Sequence, residues 1–99
     1  VIEMVVGVVR MEFFIPGNNS LKGKRQVVKS LVHRLEARFR KISVAEVDEQ
    51  DLWQKAVIGV STVGTDRALV DRRLNEVLSF VEGFDGLELL SAEIDFISY

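Results

Sequence analysis

The sequence predicts an α+β domain, with a four-stranded antiparallel sheet carrying two helices on one face, and three observations predict it. Four short runs are rich in β-branched and aromatic residues or alternate with period two, and two longer runs carry apolar stripes with helical period. The runs follow the order strand, helix, strand, strand, helix, strand. Short turns join them, with no linker, repeat or low-complexity tract. Two strand-helix-strand units with right-handed crossovers close into the split βαβ, or ferredoxin-like, arrangement. At 99 residues, 47% hydrophobic and 28% charged, the chain has room for one domain (residues 1–99) around one core.

The first strand runs from Met4 to Ile15, with Val9, Met11 and Phe13 on one side and Arg10 and Glu12 on the other. Pro16, Gly17, Asn18 and Asn19 break it, and Ser20 is placed to cap the first helix. From Leu21 to Phe39, the residues Leu21, Val28, Leu31, Val32, Leu35 and Phe39 gather on one side of that helix, which is amphipathic. A short second strand, Ile42 to Val47, ends at the acidic turn Asp48, Glu49, Gln50 and Asp51. The third runs from about Gln54 to Val63, ended by Gly64 and Thr65.

Thr65 or Asp66 caps the second helix, whose stripe is Val70, Leu74, Val77, Leu78 and Val81, and Gly83 and Gly86 close it. The last segment alternates Leu90, Ala92, Ile94 and Phe96 against Ser91, Glu93 and Asp95. On strand one, Val5, Gly7, Val9, Met11, Phe13 and Ile15 are assigned to the helix side. That leaves Met4, Val6, Val8, Arg10, Glu12 and Phe14 on the open side, joined there by Val57 and Val63. Aliphatic residues beside charged ones on an uncovered sheet suit a homodimer or another partner. They equally suit scattered surface valines on a monomer.

No apolar run approaches the ~20 residues of a membrane span, and no signal-peptide pattern opens the chain. The absence of cysteine excludes disulfides and thiolate chemistry and agrees with a reducing compartment, so we expect a cytoplasmic protein. The net charge of -2 conceals a strong asymmetry. Residues 20–41 hold eight Lys/Arg and one acid (+7), whereas residues 42–99 hold four bases and twelve acids (-8). On a helical wheel, Lys22, Arg25, Lys29, His33 and Arg40, with Glu36 among them, fall on one flank of the first helix, and Arg34, Arg38 and Lys41 on the other. A cationic row of this kind is a footprint for nucleic-acid phosphates. The competing reading is a solvated helix face whose C-terminal bases suit the helix dipole.

Other chemistry finds less support. Strand three has no aromatic between Lys55 and Val63, which argues against base stacking on the central strands. The turn Gly17 to Lys24 has five residues between its glycines and Arg25 after its lysine, so it departs from a phosphate-binding loop. It reads as a capped turn, with a single anion at the helix start as the alternative. His33 is the only histidine and has no partner for a typical zinc site, and no motif supplies a catalytic triad; we expect no cofactor and no metal. The carboxylates Glu46, Asp48, Glu49 and Asp51 read as a solvated turn, and Trp53 as an anchor of that turn on the core.

The segments Ser20-Leu21-Lys22-Gly23-Lys24-Arg25-Gln26-Val27-Val28-Lys29-Ser30-Leu31, Val44-Ala45-Glu46-Val47-Asp48-Glu49-Gln50-Asp51-Leu52-Trp53-Gln54 and Asp66-Arg67-Ala68 resemble the YlxP-like family of small bacterial proteins, a domain of unknown function. The likeness spans essentially the whole chain, and the three residues before Met4 look like an extension of the family's usual start. The resemblance implies a ferredoxin-like fold. It also implies a role near RNA or the ribosome, since the family's genes often lie among those for transcription, translation initiation and ribosome maturation. It carries over no catalytic residue, and its first motif nominates Lys22, Lys24 and Arg25 as a functional surface.

The first expectation is therefore a non-enzymatic RNA- or ribosome-associated protein binding through Lys22, Lys24, Arg25, Lys29, His33 and Arg40. The alternative is a homodimeric protein-interaction module that uses the open sheet face, with no role in nucleic-acid binding. An acylphosphatase-like enzyme comes last, because the Pro16 to Ser20 turn lacks the arginine its anion loop needs.

Overall fold

A computed structural model describes residues 3–99 of the chain. Of the N-terminal extension expected from the sequence, Val1 and Ile2 lie outside the described residues. The elements are β1 (Val5–Phe14), α1 (Leu21–Arg38), β2 (Ile42–Asp48), β3 (Lys55–Gly64), α2 (Arg67–Glu82) and β4 (Glu88–Ser98). The strands pair antiparallel in the order β2-β3-β1-β4, the ferredoxin-like topology expected from the order of the periodic segments.

Period two decides which side chains enter the core. Val5, Val9, Met11, Phe13 and Ile15 are buried beneath the helices with Ala56, Ile58 and Val60 from β3. Val28, Leu31 and Leu35 descend from α1, and Val70, Leu74, Val77 and Val81 from α2. Fully burying a side chain of this size contributes roughly 1.5–3 kcal/mol, so these two stripes fix both helices on the sheet. Gly7 lets α2 approach closely, because a Cβ there would lie 2.4 Å from Val70 Cγ1 and 2.9 Å from Leu74 Cδ1. Ser20 caps α1 by accepting from the Gly23 amide at 3.0 Å, and Asp66, rather than Thr65, caps α2 by accepting from the Ala68 amide at 2.7 Å.

Two irregularities depart from plain alternation. In β4 the register passes from Ser91 opposite Glu12 to Leu89 opposite Phe13, so Leu90 is a bulge residue. The expected grouping of Leu90 with Ala92, Ile94 and Phe96 on one face is thus corrected: Leu89 joins them there, and Leu90 is 56% exposed. In β2 the shift falls between Glu46 and Asp48, which brings Asp48 opposite Val57 on the open face. There its Oδ2 lies 3.5 Å from the Arg10 guanidinium.

Candidate nucleic-acid interface

The basic residues of α1 and of the connection that follows it divide into four environments. Lys22, Arg25, Lys29 and His33 are exposed along one side of the helix, and the first three span about 10 Å of its axis. Among the described residues none of these four makes an ion pair with a carboxylate. Arg34 and Arg38 sit on the opposite flank facing α2. Arg34 lies over the Phe84 ring at 6.0 Å, and Arg38 over Phe80 at 5.6 Å and Phe39 at 5.9 Å. Those two arginines pack on aromatic faces as well as meeting solvent.

Lys24 does not belong to the cationic face, which corrects the expectation drawn from the first motif. Its side chain is 1% exposed and points under the first turn of α1, with Nζ 3.1 Å from Glu46 Oε2. Nζ also donates to the Glu49 carbonyl, in a turn where Glu49 adopts φ 57°. The signal is present in the spacing: Lys24, Val28, Leu31 and Leu35 recur at four, three and four residues, so Lys24 occupies a core position of the stripe. Glu46 likewise follows Ile42 and Val44 on the covered side of β2. A lysine and a glutamate on facing apolar stripes are mutual partners, since an unpaired buried charge is costly.

Arg40 is also set apart, because α1 ends at Arg38 and helical angles do not extend to it. It is exposed in the connection to β2, beside a hollow lined by Lys41, Ser43, Ser61 and Val63. The structure thus brings together Lys22, Arg25, Lys29 and His33, and leaves Lys24 and Arg40 out of that row.

The distinctive motifs meet one another. The Asn18 amide donates to the Ser20 carbonyl at 2.9 Å and to the Trp53 carbonyl, and Gln54 Nε2 donates to the Asn18 carbonyl at 3.0 Å. Gly23 is required beside it, since a Cβ there would stand 2.2 Å from Asn18 Oδ1. With Lys24 reaching Glu46 and Glu49, these contacts bind the β1-α1 loop to the β2-β3 turn. The acidic turn is consequently tethered and not merely solvated. Trp53, expected as its core anchor, is instead 51% exposed at the open corner with Phe14 and Leu52, where no helix covers the sheet.

The open sheet face carries its own charge network. Arg10 donates to Glu12 Oε1 at 3.0 Å, and Lys55 Nζ lies 3.9 Å from Glu12 Oε2. The hydrogen bond from Arg10, followed by the Lys55 charge, holds the Glu12 carboxyl below its ordinary range, and the same bond raises the Arg10 guanidinium. Among the described residues no cluster of three or more His, Asp or Glu side chains is placed to hold a metal ion, and no helix is long and apolar enough to cross a membrane.

Comparison with known proteins places this geometry in context. Residues 6–94 match the family model described as "Protein of unknown function (DUF503)". The chain is 32% identical over 84 residues to the "Uncharacterized protein YlxP" of Bacillus subtilis (strain 168), covering 85% of this chain and 90% of that one. Among solved structures it is similar to the de novo designed protein Foldit4, with TM-score 0.52 and 12% identity over 97% of this chain and 96% of that one. This likeness shows the fold alone. It is also similar to SnoaB, a cofactor-independent oxygenase from Streptomyces nogalater, at TM-score 0.45 and 19% identity over 98% of this chain and 92% of that one. That likeness is too distant to carry an activity across.

Proposed function

Because the chain belongs to the DUF503 family, whose description states no function, its activity has to be read from its own surface, and we propose that it is a non-enzymatic cytoplasmic protein that docks Lys22, Arg25, Lys29 and His33 on the phosphates of structured RNA, ribosomal RNA included. One observation carries this reading. In a molecule of net charge -2, where Glu12, Asp48 and Glu46 pair with Arg10, Lys24 and Lys55, the row on α1 is exposed and makes no ion pair among the described residues. Unpaired cations in a line release condensed counterions when they meet phosphates, a favourable term that a cation already neutralised by its own chain does not supply. The acidic remainder confines the contact to this side of the molecule.

The test is a fluorescence titration against structured RNA across a salt series. Binding through three lysine or arginine contacts gives a log-log salt slope of roughly -2 to -3. Reversing Lys22, Arg25 and Lys29 to glutamate is expected to abolish binding. Affinity that ignores salt, or that survives the triple reversal, overturns the reading.

A further inference from the structure

The uncovered face of the sheet gathers the chain's exposed apolar surface. Met4, Val63, Ile97 and Tyr99 are exposed at one end of it and Phe14 and Trp53 at the other. Among the described residues no exposed large apolar side chain stands on the outer surface of either helix. This segregation marks the face as one to be covered.

Its relief is uneven. On the β2-β3 half the paired residues are small, with Ser43 opposite Ser61 and Ala45 opposite Gly59, and they floor an open hollow of about 510 Å³. On the β1-β4 half Arg10 stands opposite Glu93 and Val8 opposite Asp95, so β4 forms a ridge beside the hollow. Arg10 leans across β3 toward Asp48 of β2, which puts a guanidinium on the hollow's rim. The low half is therefore lined by two hydroxyls and by the Arg10 guanidinium leaning over it, with Asp48 beside that guanidinium, and the high half carries the Glu93 and Asp95 carboxylates.

We propose that this face is a homodimer interface, with a two-fold axis parallel to the strands between β3 and β1, so that the Glu93-Asp95 ridge of each copy seats in the Ser43-Ala45-Gly59-Ser61 hollow of the other. Since the strand order is β2-β3-β1-β4, rotation about that axis lays β4 on β2 and β1 on β3. Ridge meets hollow, carboxylates meet Arg10 and serine hydroxyls, and Val6 of one copy meets Val63 of the other. An axis perpendicular to the strands would set ridge on ridge and carboxylate on carboxylate. Four strands of 7 to 11 residues, about 4.8 Å apart and rising about 3.3 Å per residue, present roughly 600 Å² per copy. Two such faces bury about 1,200 Å², the lower edge of a specific interface. The α1 rows stay on the outside of both copies, so the dimer and RNA binding stand or fall separately.

Sedimentation equilibrium and thiol crosslinking test it. The expected result is twice the protomer mass at high protein concentration, with Ala45→Arg, which fills the hollow, weakening the dimer at least tenfold. Lys29→Glu leaves the dimer intact while lowering RNA affinity. Circular dichroism establishes that each variant is folded. The chain has no cysteine, so Ser43→Cys and Asp95→Cys each carry a unique thiol. A short bismaleimide is expected to join the two variants when mixed, and neither to itself. A monomer at millimolar concentration, a dimer indifferent to Ala45→Arg, or Asp95→Cys crosslinking only to itself overturns the proposal.

Discussion

Lys24 Nζ lies 3.1 Å from Glu46 Oε2 beneath the first turn of α1, so the second lysine of the Ser-Leu-Lys-Gly-Lys-Arg motif is spent inside the molecule. Glu46 Oε2 has no hydrogen-bond partner among the described residues, which leaves the lysine charge as its compensation. Lys24→Met is expected to destabilise the fold by roughly 2–3 kcal/mol, below the usual cost of breaking a buried pair because the Glu46 side chain is 21% exposed. Lys24→Met with Glu46→Leu is expected to recover most of that loss in urea denaturation. A single variant as stable as the wild type would show that the ion pair contributes nothing.

Gly23→Ala sets two effects against each other. Alanine favours a helix by about 1 kcal/mol over glycine, less in a first turn. Its Cβ, however, would stand 2.2 Å from Asn18 Oδ1 and push that amide away from the Ser20 and Trp53 carbonyls. The expected net is a loss of about 1 kcal/mol, because the Asn18 amide gives up two hydrogen bonds, the Ser20 carbonyl keeping only the Lys24 amide as donor. Thermal melts read the loss, and a shift in Trp53 fluorescence reports the released turn.

Gly7→Ala is expected to cost roughly 1–3 kcal/mol through overpacking, since Val70 and Leu74 already occupy the space its Cβ would take. Gly17→Ala serves as a comparison with open space around it, where the cost comes only from φ +70°. Equal melting temperatures for Gly7→Ala and wild type would show that α2 can shift away from β1 without loss.

Glu12 gives the fold a pH dependence of known sign. Its carboxyl is held below the ordinary 4.5 by the Arg10 hydrogen bond and the Lys55 charge. A depressed value means that the folded state favours the ionised form, so this contribution is present above the unfolded value and lost as pH falls through the folded one. The melting temperature is expected to decline as pH drops below about 4.5. Glu12→Gln is expected to lower the melting temperature at neutral pH and flatten that decline.

RNA affinity should sort the basic residues by environment. Arg25→Ala and Lys29→Ala are each expected to weaken binding and to reduce the magnitude of the salt slope by about 1. Arg40→Ala, outside the row, is expected to leave the slope unchanged. A uniform response of all three would point to diffuse charge attraction and not to the α1 row.

Much of the fold is legible in the sequence because burial imposes simple periods. Met11 and Phe13 on β1 and Leu31 and Leu35 on α1 are buried where spacings of two and of three and four place them. Leu90 escapes that logic, since a bulge inserts one residue and the alternation that looks continuous from Leu90 to Phe96 breaks at Ser91. Trp53 escapes it because large aromatic residues are usually covered, and no periodicity states which turn residues a helix will reach. Arg40 takes an angle on a helical wheel although the helix ends two residues before it.

Period, turn chemistry and the charge run settled the element order, the sheet's two faces and the presence of a cationic helix, because each is a local property of neighbouring residues. Which of those cations is free was decided only by tertiary structure. Charge along a chain says nothing of the acid that packing will bring beside it, and Glu46, 22 residues beyond Lys24, removes that lysine from the surface. The same packing leaves Lys22, Arg25 and Lys29 facing water, because they lie on the side of α1 opposite the buried stripe of Lys24, Val28, Leu31 and Leu35.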